Sequence, residues 1–232
     1  MNLIITADDQ ARIVYDADKL DTAPAAMFRP GYWPELGVGA AHALGRGGTR
    51  FVSAPCGDAV LKRYLRGGQM ARWNRDLYFF TGLERSRPFR EFRLLAWMHA
   101  HQLPVPAPVA ALVETHGLAY RGALISMLLA ATSSFAEHIQ AGQQERQLWQ
   151  SVGRCIRRFH DAGVMHADLN VNNILVADDG HVFLVDFDKS SRRKAANNWK
   201  QANMDRLKRS LEKLQMGTGS NWTDLRAGYD RG

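Results

Sequence analysis

Hydrophobic and polar residues follow different patterns in the two halves of the chain. In the first half, short runs of alternating or continuous apolar residues lie between glycines and prolines, which is the pattern of β-strands. These runs span residues 11–15, 50–53, 59–65, 109–113 and 122–128. Over residues 89–101, directly after a proline, Phe89, Phe92 and Leu95 recur near the 3.6-residue period of a helix. The first half therefore predicts a sheet with a single helix.

Helical spacing dominates the second half. Residues 143–162 and 199–214 each place their apolar side chains on one face, which predicts two amphipathic helices. Two short strands at residues 173–176 and 181–187, joined by a glycine-containing turn, are predicted between them. The glycine-rich tail from Gly217 is expected to be frayed. Together the two halves predict an α+β fold, with an antiparallel sheet plus one helix followed by a reduced helical part.

Length and composition exclude several classes of protein. The chain has 232 residues, of which 46% are hydrophobic and 23% are charged, so it can bury a core and is not disordered, collagenous or a coiled coil. Its two cysteines, Cys56 and Cys155, are expected to be buried thiols of a reducing compartment. The longest apolar run, residues 123–131, is about half of a membrane-spanning helix. We expect a cytoplasmic protein with neither a spanning helix nor a signal peptide.

The net charge of +7 is concentrated in two segments. Residues 62–93 hold nine basic and three acidic residues, and residues 189–213 hold nine basic and two acidic residues. Such clusters favour an anionic partner, although they are also typical of solvated helix faces. No nucleic-acid-binding motif accompanies them, so we expect no nucleic acid partner. For the last helix we prefer core packing with a wet basic face over binding to a membrane surface.

The residues from His166 to Asp186 carry the most specific chemical pattern. Asn173 follows Asp168 by five residues, and Asp186 ends an apolar strand eighteen residues after Asp168. This order matches the phosphoryl-transfer template, in which one Asp orients or deprotonates the acceptor hydroxyl while an Asn and a second Asp hold Mg²⁺. Asp168 is the candidate for the first role, and His166 is expected to brace the loop around it. The alternative is that these residues only form ordinary loop turns.

Candidates for ATP binding precede this region. Three closely spaced glycines before a predicted strand would let backbone N–H groups approach phosphate oxygens: Gly45, Gly47 and Gly48. Lys62 follows an apolar strand run and is the candidate ligand of the α- and β-phosphates, with Glu91 on the predicted helix as its partner. The alternatives are that the glycines form a plain hairpin and that Lys62 is a solvated residue at the sheet edge. Glu84 is the alternative partner of Lys62, and Glu91 would then form a surface pair with Arg87.

Several segments resemble the lipopolysaccharide core kinases of the protein-kinase-like superfamily, over roughly residues 45–189. The resemblance rests on Lys62-Arg-Tyr-Leu-Arg-Gly-Gly, Asp76-Leu-Tyr-Phe-Phe-Thr-Gly, Ser86-Arg-Pro-Phe-Arg-Glu-Phe-Arg-Leu-Leu, His166-Ala-Asp-Leu-Asn and Asp186-Phe-Asp. It implies a two-lobed protein-kinase-like fold, with an N-terminal lobe over residues 1–131 and a C-terminal lobe over residues 132–232. ATP would bind between the lobes, and residues 126–129 would offer backbone contacts to adenine.

The resemblance also implies a reaction and a location. The substrate would be the 4-hydroxyl of 3-deoxy-D-manno-octulosonic acid (Kdo) on the lipid A precursor, phosphorylated with ATP and Mg²⁺ during inner-core biosynthesis. The protein would work as a peripheral protein at the cytoplasmic face of a Gram-negative inner membrane, where the anionic membrane surface is a second partner.

The first basic segment provides candidates for binding an acceptor that carries a carboxylate and phosphates. Guanidinium groups bind such anions bidentately, which favours Arg63, Arg66 and Arg87, together with Arg72, Arg85 and Arg90. The alternative is that these arginines are solvated or paired within the protein. Four aromatic residues of the segment either contact acyl chains or, as we prefer, belong to the core: Trp73, Tyr78, Phe79 and Phe80.

The chain departs from regulated protein kinases. Ala167 stands where many of them carry an arginine that binds a phosphorylated activation loop, and Asp188 replaces the glycine of their Asp-Phe-Gly motif. Too few residues follow Asp186 for a full peptide-docking lobe. The alternatives left open are a heptose kinase, an aminoglycoside- or choline-type phosphotransferase, an atypical protein kinase, and a pseudokinase that serves as a binding module.

Overall fold

Two compact units make up the chain in the computed structural model, which describes residues 1–37, 48–65, 76–142, 145–194, 197–215 and 219–232. The first unit comprises Met1–Ala100 and Pro106–Leu128, and the second comprises His101–Val105 and Leu129–Gly232. The division into residues 1–131 and 132–232 stays a prediction.

An antiparallel sheet is the main element of the first unit. Its strands are β1 (Leu3–Asp8), β2 (Ala11–Asp16), β3 (Thr49–Ala54), β4 (Gly57–Arg63), β5 (Tyr78–Phe79), β6 (Pro108–His116) and β7 (Ala119–Met127). They are arranged in the order β1-β2-β6-β7-β4-β3, and β5 pairs with β7. The predicted strands of the first half are confirmed, whereas β1 and β5 were not predicted.

One helix, α1 (Arg87–Ala100), packs against a face of this sheet. Phe89, Phe92 and Met98 are fully buried on the inner side of α1, as the helical period predicts. The contact with β7 is close, because a Cβ atom at Gly122 would lie only 2.3 Å from the ring of Pro88. Glycine is therefore required where the first turn of α1 crosses the strand.

The opposite face of the sheet carries the main core of this unit. Side chains alternate along a strand, so Ile125 of β7 points away from the α1 face that Gly122 occupies. Ile125 belongs to one apolar cluster with Leu61 of the adjacent strand β4, Ile13 of β2, and Met27 of the short 3₁₀ helix Ala25–Phe28. The segment after β2 therefore covers the sheet on the side away from α1.

Helices dominate the second unit, in agreement with the helical spacing of the sequence. They are α2 (Phe135–Gln140), α3 (Arg146–Asp161), α4 (Asn197–Lys213) and α5 (Ser220–Arg231). Five short strands complete it: β8 (Thr132–Ser134), β9 (Val164–Met165), β10 (Ile174–Ala177), β11 (Val182–Leu184) and β12 (Ser191–Arg192). Strands β11, β10 and β8 form one antiparallel sheet, and β12 pairs with β9. Within the described ranges, no helix has the length and apolar character needed to cross a bilayer.

The C-terminal tail is not frayed, so that expectation is wrong for residues 220–231, which form α5. Gly217 itself lies outside the described residues. A Cβ atom at Gly153 of α3 would lie 2.1 Å from the carbonyl oxygen of Leu225, and one at Gly228 would lie 2.2 Å from that of Gln150. The two glycines let α3 and α5 cross with their backbones in contact, and Leu225 is fully buried there. Gly228, one of the glycines that suggested a loose tail, is therefore needed for the packing of α5 against α3.

The two cysteines form no disulfide. Cys155 is buried, its Sγ lies 3.4 Å from the carbonyl oxygen of Val182, and burial raises its pKa to about 12. Cys56 is only partly buried, so the expectation of two buried thiols is wrong for this residue.

Candidate functional site

Lys62 and Glu91 form an ion pair in the first unit. The side chain of Leu61 belongs to the core away from α1, so the next residue on β4, Lys62, points towards α1. Its Nζ lies 3.0 Å from both carboxylate oxygens of Glu91, which is in the second turn of α1 and almost fully buried. The Lys62 side chain remains 24% exposed. A buried carboxylate therefore holds an accessible ammonium group in a defined place.

Tyr64 is a further member of this group, which the sequence reasoning did not single out. Its hydroxyl donates a hydrogen bond of 2.5 Å to Glu91, and its ring lies 5.0 Å from the Lys62 Nζ. The signals in the sequence are that Tyr64 belongs to one of the segments that carry the family resemblance and that it follows Lys62 by two residues, as expected for side chains on one side of an extended chain. Glu84, the alternative partner of Lys62, instead pairs with Arg93 at 3.1 Å.

The glycine-rich segment is described only at its end. Gly45 and Gly47 lie outside the described residues, and so does Arg66. The Gly48 carbonyl accepts a hydrogen bond of 2.8 Å from the Arg63 N–H, and a Cβ atom at Gly48 would lie 3.0 Å from the Arg63 carbonyl oxygen. Gly48 therefore lies against the end of β4, where a side chain would be crowded.

Two of the arginine candidates, Arg63 and Arg87, make contacts inside the first unit. Arg63 is 3.6 Å from Asp76 and remains 42% exposed. Arg87 stacks its guanidinium on the rings of Tyr64 and Tyr78, at 5.1 and 4.7 Å from the ring centres, and it donates a hydrogen bond to the Tyr78 hydroxyl. Tyr78 is half-buried by these contacts, whereas Phe79 is 72% exposed, so the preference for a core position is wrong for Phe79. Trp73 lies outside the described residues.

Asp168 presents an exposed carboxylate from the loop after β9. Its side chain is 61% exposed, and its backbone carbonyl accepts hydrogen bonds from the side-chain amides of Asn170 and Asn173, at 3.0 and 2.9 Å. Arg206 of α4 approaches an Asp168 carboxylate oxygen to 3.4 Å. The loop is thus fixed through its backbone, which leaves the carboxylate directed at solvent with one cation beside it.

His166 is buried and braces this loop. Its Nδ1 accepts the N–H of Asp168 at 3.1 Å, so its Nε2 carries the proton and donates to the Val185 carbonyl at 3.0 Å. Both ring nitrogens therefore form hydrogen bonds with backbone groups. The ring packs on Phe187 with 4.7 Å between ring centres. This arrangement suits a positioning role.

Asn173 and Asp186 lie at the same end of the antiparallel β10–β11 pair. Asn173 directly precedes β10, Asp186 follows β11 by two residues, and the Val185 N–H donates to the Asn173 carbonyl at 3.1 Å. The amide nitrogen of Asn173 is committed to the Asp168 carbonyl, which leaves its Oδ1 as the atom that can ligate. Asp186 has a left-handed backbone with φ of 62° and an exposed side chain. Two oxygen donors suited to Mg²⁺ thus meet at one strand end.

A buried polar network connects the two C-terminal helices to this loop. The Oδ1 of Asn203 on α4 accepts the N–H of His166 at 3.1 Å, and its amide donates to the His166 carbonyl at 2.9 Å. The same Oδ1 lies 3.4 Å from the Nε2 of His160, whose Nδ1 is 2.7 Å from the hydroxyl of Tyr229 on α5. Burial lowers the pKa of His160 to about 4, so the network is uncharged at neutral pH. Asn203 was not predicted, because an asparagine in an amphipathic helix carries no local signal for such a contact.

The adenine contacts expected at residues 126–129 stay a prediction. Two backbone N–H groups of this segment already donate hydrogen bonds within the first unit. Met127 donates to the Ala107 carbonyl at 2.8 Å, and Leu128 donates to the Asp58 carbonyl at 2.9 Å. A contact to adenine would have to use other backbone groups of this segment.

Comparisons with known proteins place this chain in a family. The model of the lipopolysaccharide kinase (Kdo/WaaP) family matches residues 35–229. A 3-deoxy-D-manno-octulosonic acid kinase of Xanthomonas axonopodis pv. citri is 44% identical over 203 residues, which are 88% of this chain and 81% of that protein. The protein of the same name from Xylella fastidiosa is 40% identical over 209 residues, which are 89% of this chain and 82% of that protein.

Proposed function

Because the chain belongs to the lipopolysaccharide kinase (Kdo/WaaP) family, we propose that it transfers the γ-phosphoryl group of ATP to the 4-hydroxyl of Kdo on the lipid A precursor. The names of the relatives support both the acceptor sugar and phosphoryl transfer to a hydroxyl group. The same names do not favour a heptose kinase, an antibiotic or choline kinase, or a protein kinase. The proposal includes a two-lobed kinase-like arrangement of residues 1–131 and 132–232.

The Lys62–Glu91 ion pair is the observation that carries the ATP part of the proposal. Burying a carboxylate is costly unless it is paired and hydrogen-bonded, and Lys62 and Tyr64 meet both needs of Glu91. The ammonium group is held at one place yet remains accessible to solvent, as a ligand of the α- and β-phosphates must be. Gly45, Gly47 and Gly48 would cover the phosphates with their backbone N–H groups.

Asp168 performs the acid–base part of the proposed reaction. Its exposed carboxylate accepts a hydrogen bond from the acceptor 4-hydroxyl and takes up the proton as the oxygen bonds to the γ-phosphorus. The bond from that phosphorus to the bridging oxygen breaks, and ADP leaves with the electron pair. His166 holds the Asp168 backbone through the 3.1 Å hydrogen bond and takes no proton itself.

Asn173 and Asp186 fit the metal that this chemistry uses. They offer one amide oxygen and one carboxylate at the same strand end, which are donors that Mg²⁺ prefers. When bound, Mg²⁺ would neutralise charge on the phosphate oxygens. The hydrogen bond from its side-chain amide to the Asp168 carbonyl sets the orientation of Asn173.

The acceptor and the location form the last part of the proposal. Arg63, Arg66 and Arg87 would bind the carboxylate and phosphates of the Kdo-bearing lipid A precursor. Because this acceptor is lipid-linked, the protein would act peripherally at the cytoplasmic face of the inner membrane, on an anionic surface.

Transfer of label from γ-labelled ATP to Kdo-bearing lipid A precursor tests the proposal. The same precursor without Kdo and kanamycin serve as control acceptors. We expect label on the Kdo-bearing lipid alone, and a loss of roughly 10²–10⁴-fold for Asp168→Asn. Asp179→Asn is the matched control, because Asp179 is an exposed turn residue of the same unit. Transfer to the precursor without Kdo, or full activity of Asp168→Asn, would contradict the proposal.

A further inference from the structure

Two large apolar side chains of the first unit extend into solvent. Phe79 is 72% exposed and Leu118 is 77% exposed, whereas the other exposed large apolar residues in the described part of the chain reach at most 47%. Single apolar residues on a surface are common, but two such prominent ones at the same end of a strand pair need an explanation.

Phe79 and Leu118 lie at the same end of the β5–β7 strand pair. Phe79 pairs with Ala119 across β5 and β7, and the Phe80 N–H donates to the Leu118 carbonyl at 2.9 Å. Leu118 belongs to the turn between β6 and β7, where Gly117 takes a φ of 59°. We refer to Phe79 and Leu118 together as the apolar tip.

The base of the apolar tip is well packed. The rings of Tyr78 and Phe80 lie 5.6 and 6.1 Å from the ring of Tyr120, measured between centres. The Tyr120 hydroxyl accepts the N–H of Arg87 at 3.0 Å, which ties the strand pair to the start of α1. The apolar tip therefore cannot bury itself by a small movement of a loose loop.

The elements that carry and support the apolar tip have an excess of positive charge, although Arg63 and Arg121 pair with Asp76 and Arg93 pairs with Glu84. These elements are the end of β4, residues 76–93, and the paired ends of β6 and β7. Apart from the Lys62–Glu91 pair, these elements hold six basic residues against Asp76, Glu84 and Glu114: Arg63, Arg85, Arg87, Arg90, Arg93 and Arg121. An apolar point within an excess of arginines matches the interface of an anionic bilayer, where acyl chains lie below acidic headgroups.

We propose that the apolar tip inserts into an anionic lipid bilayer and docks the protein on it. A lipid fits better than a protein partner, because a stable protein interface needs about 800 Å² on each side and two side chains offer far less. The inference rests on the proposed function, since a lipid-linked acceptor requires an enzyme that works at a bilayer surface.

Vesicle flotation of the 232-residue chain tests the inference. The vesicles contain phosphatidylethanolamine with phosphatidylglycerol, or phosphatidylcholine alone. We expect wild type to bind the anionic vesicles, and Phe79→Ser with Leu118→Ser to reduce that binding at least tenfold. Ile5→Ser, at a 47% exposed residue of β1, is the matched control and should bind as wild type does. Unchanged vesicle binding of the double variant would overturn the inference, as would tip-dependent self-association without any vesicle binding.

A second readout separates this inference from the proposed function. The double variant should phosphorylate a deacylated, water-soluble Kdo acceptor at the wild-type rate but lose activity on the same acceptor embedded in vesicles. Equal loss on both acceptors would overturn the docking role. If wild type transfers phosphate to neither acceptor, the proposed function fails, whatever the vesicles show.

Discussion

Acidification is expected to destabilise the protein through His160. Burial, opposed by the hydrogen bond to Asn203 and assisted by the charge of Lys200, lowers the pKa of this residue from its ordinary 6.5 to about 4 in the folded chain. The unfolded chain therefore takes up a proton near pH 6.5 that the folded chain does not accept until about pH 4. The stability that neutral His160 provides is complete above pH 6.5 and is lost as the pH falls from 6.5 towards 4.

The two pKa values set the size of the effect. A difference of about 2.5 pKa units corresponds to about 3 kcal/mol in total, and about 2 kcal/mol of this is lost between pH 7.5 and pH 5. Urea unfolding of wild type and His160→Gln at both pH values measures it. Glutamine stays neutral and can still donate to Asn203, so the change in the difference between the two proteins isolates the histidine. If the two proteins lose the same free energy of unfolding, the assignment of a neutral, buried His160 is wrong.

Three further substitutions have defined outcomes. Gly153→Ala should lower the free energy of unfolding by about 1–3 kcal/mol, because the new Cβ would meet the carbonyl of Leu225 at 2.1 Å. This cost exceeds the gain from the better helix propensity of alanine. An unchanged thermal midpoint would refute the close crossing of α3 and α5. Tyr64→Phe removes a hydrogen bond to the buried Glu91 carboxylate, so it should lower the free energy of unfolding by about 1–3 kcal/mol and raise the KM for ATP about tenfold. An unaltered KM would remove Tyr64 from the ATP site. Asn203→Ala leaves the buried N–H of His166 unpaired, which should lower the free energy of unfolding by about 1–3 kcal/mol. The same substitution should change kcat more than KM. Activity that falls only with the folded fraction would show that Asn203 has a purely structural role.

The sequence predicted the parts of the fold whose burial is periodic. Strands β2, β4, β6 and β7 and helix α1 bury one face or both, so their apolar residues recur with the period of the element. Strand β1 has no fully buried position, and hence no pattern to find. Helix α5 was missed because glycine was interpreted as a source of flexibility, whereas Gly228 permits the close crossing with α3.

The candidate site likewise has residues that a local sequence pattern predicts and residues that it does not. Asp168, Asn173 and Asp186 were recognisable because a local loop and one strand pair bring them together, so their sequence spacing reflects their geometry. Tyr64 and Asn203 were not, because their contacts with Glu91 and His166 cross 27 and 37 residues of chain. Such contacts depend on how the elements pack. The Lys62–Glu91 pair, which crosses 29 residues, was predicted only because the phosphoryl-transfer template specifies a lysine and a glutamate.

Phosphorus NMR of the purified product tests the central claim most directly. After incubation of Kdo-bearing lipid A precursor with wild-type protein and Mg-ATP, the account predicts one new phosphomonoester signal, coupled to the proton on carbon 4 of Kdo and absent with Asp168→Asn. A new phosphate on any other position, or no new phosphate on Kdo at all, would contradict it.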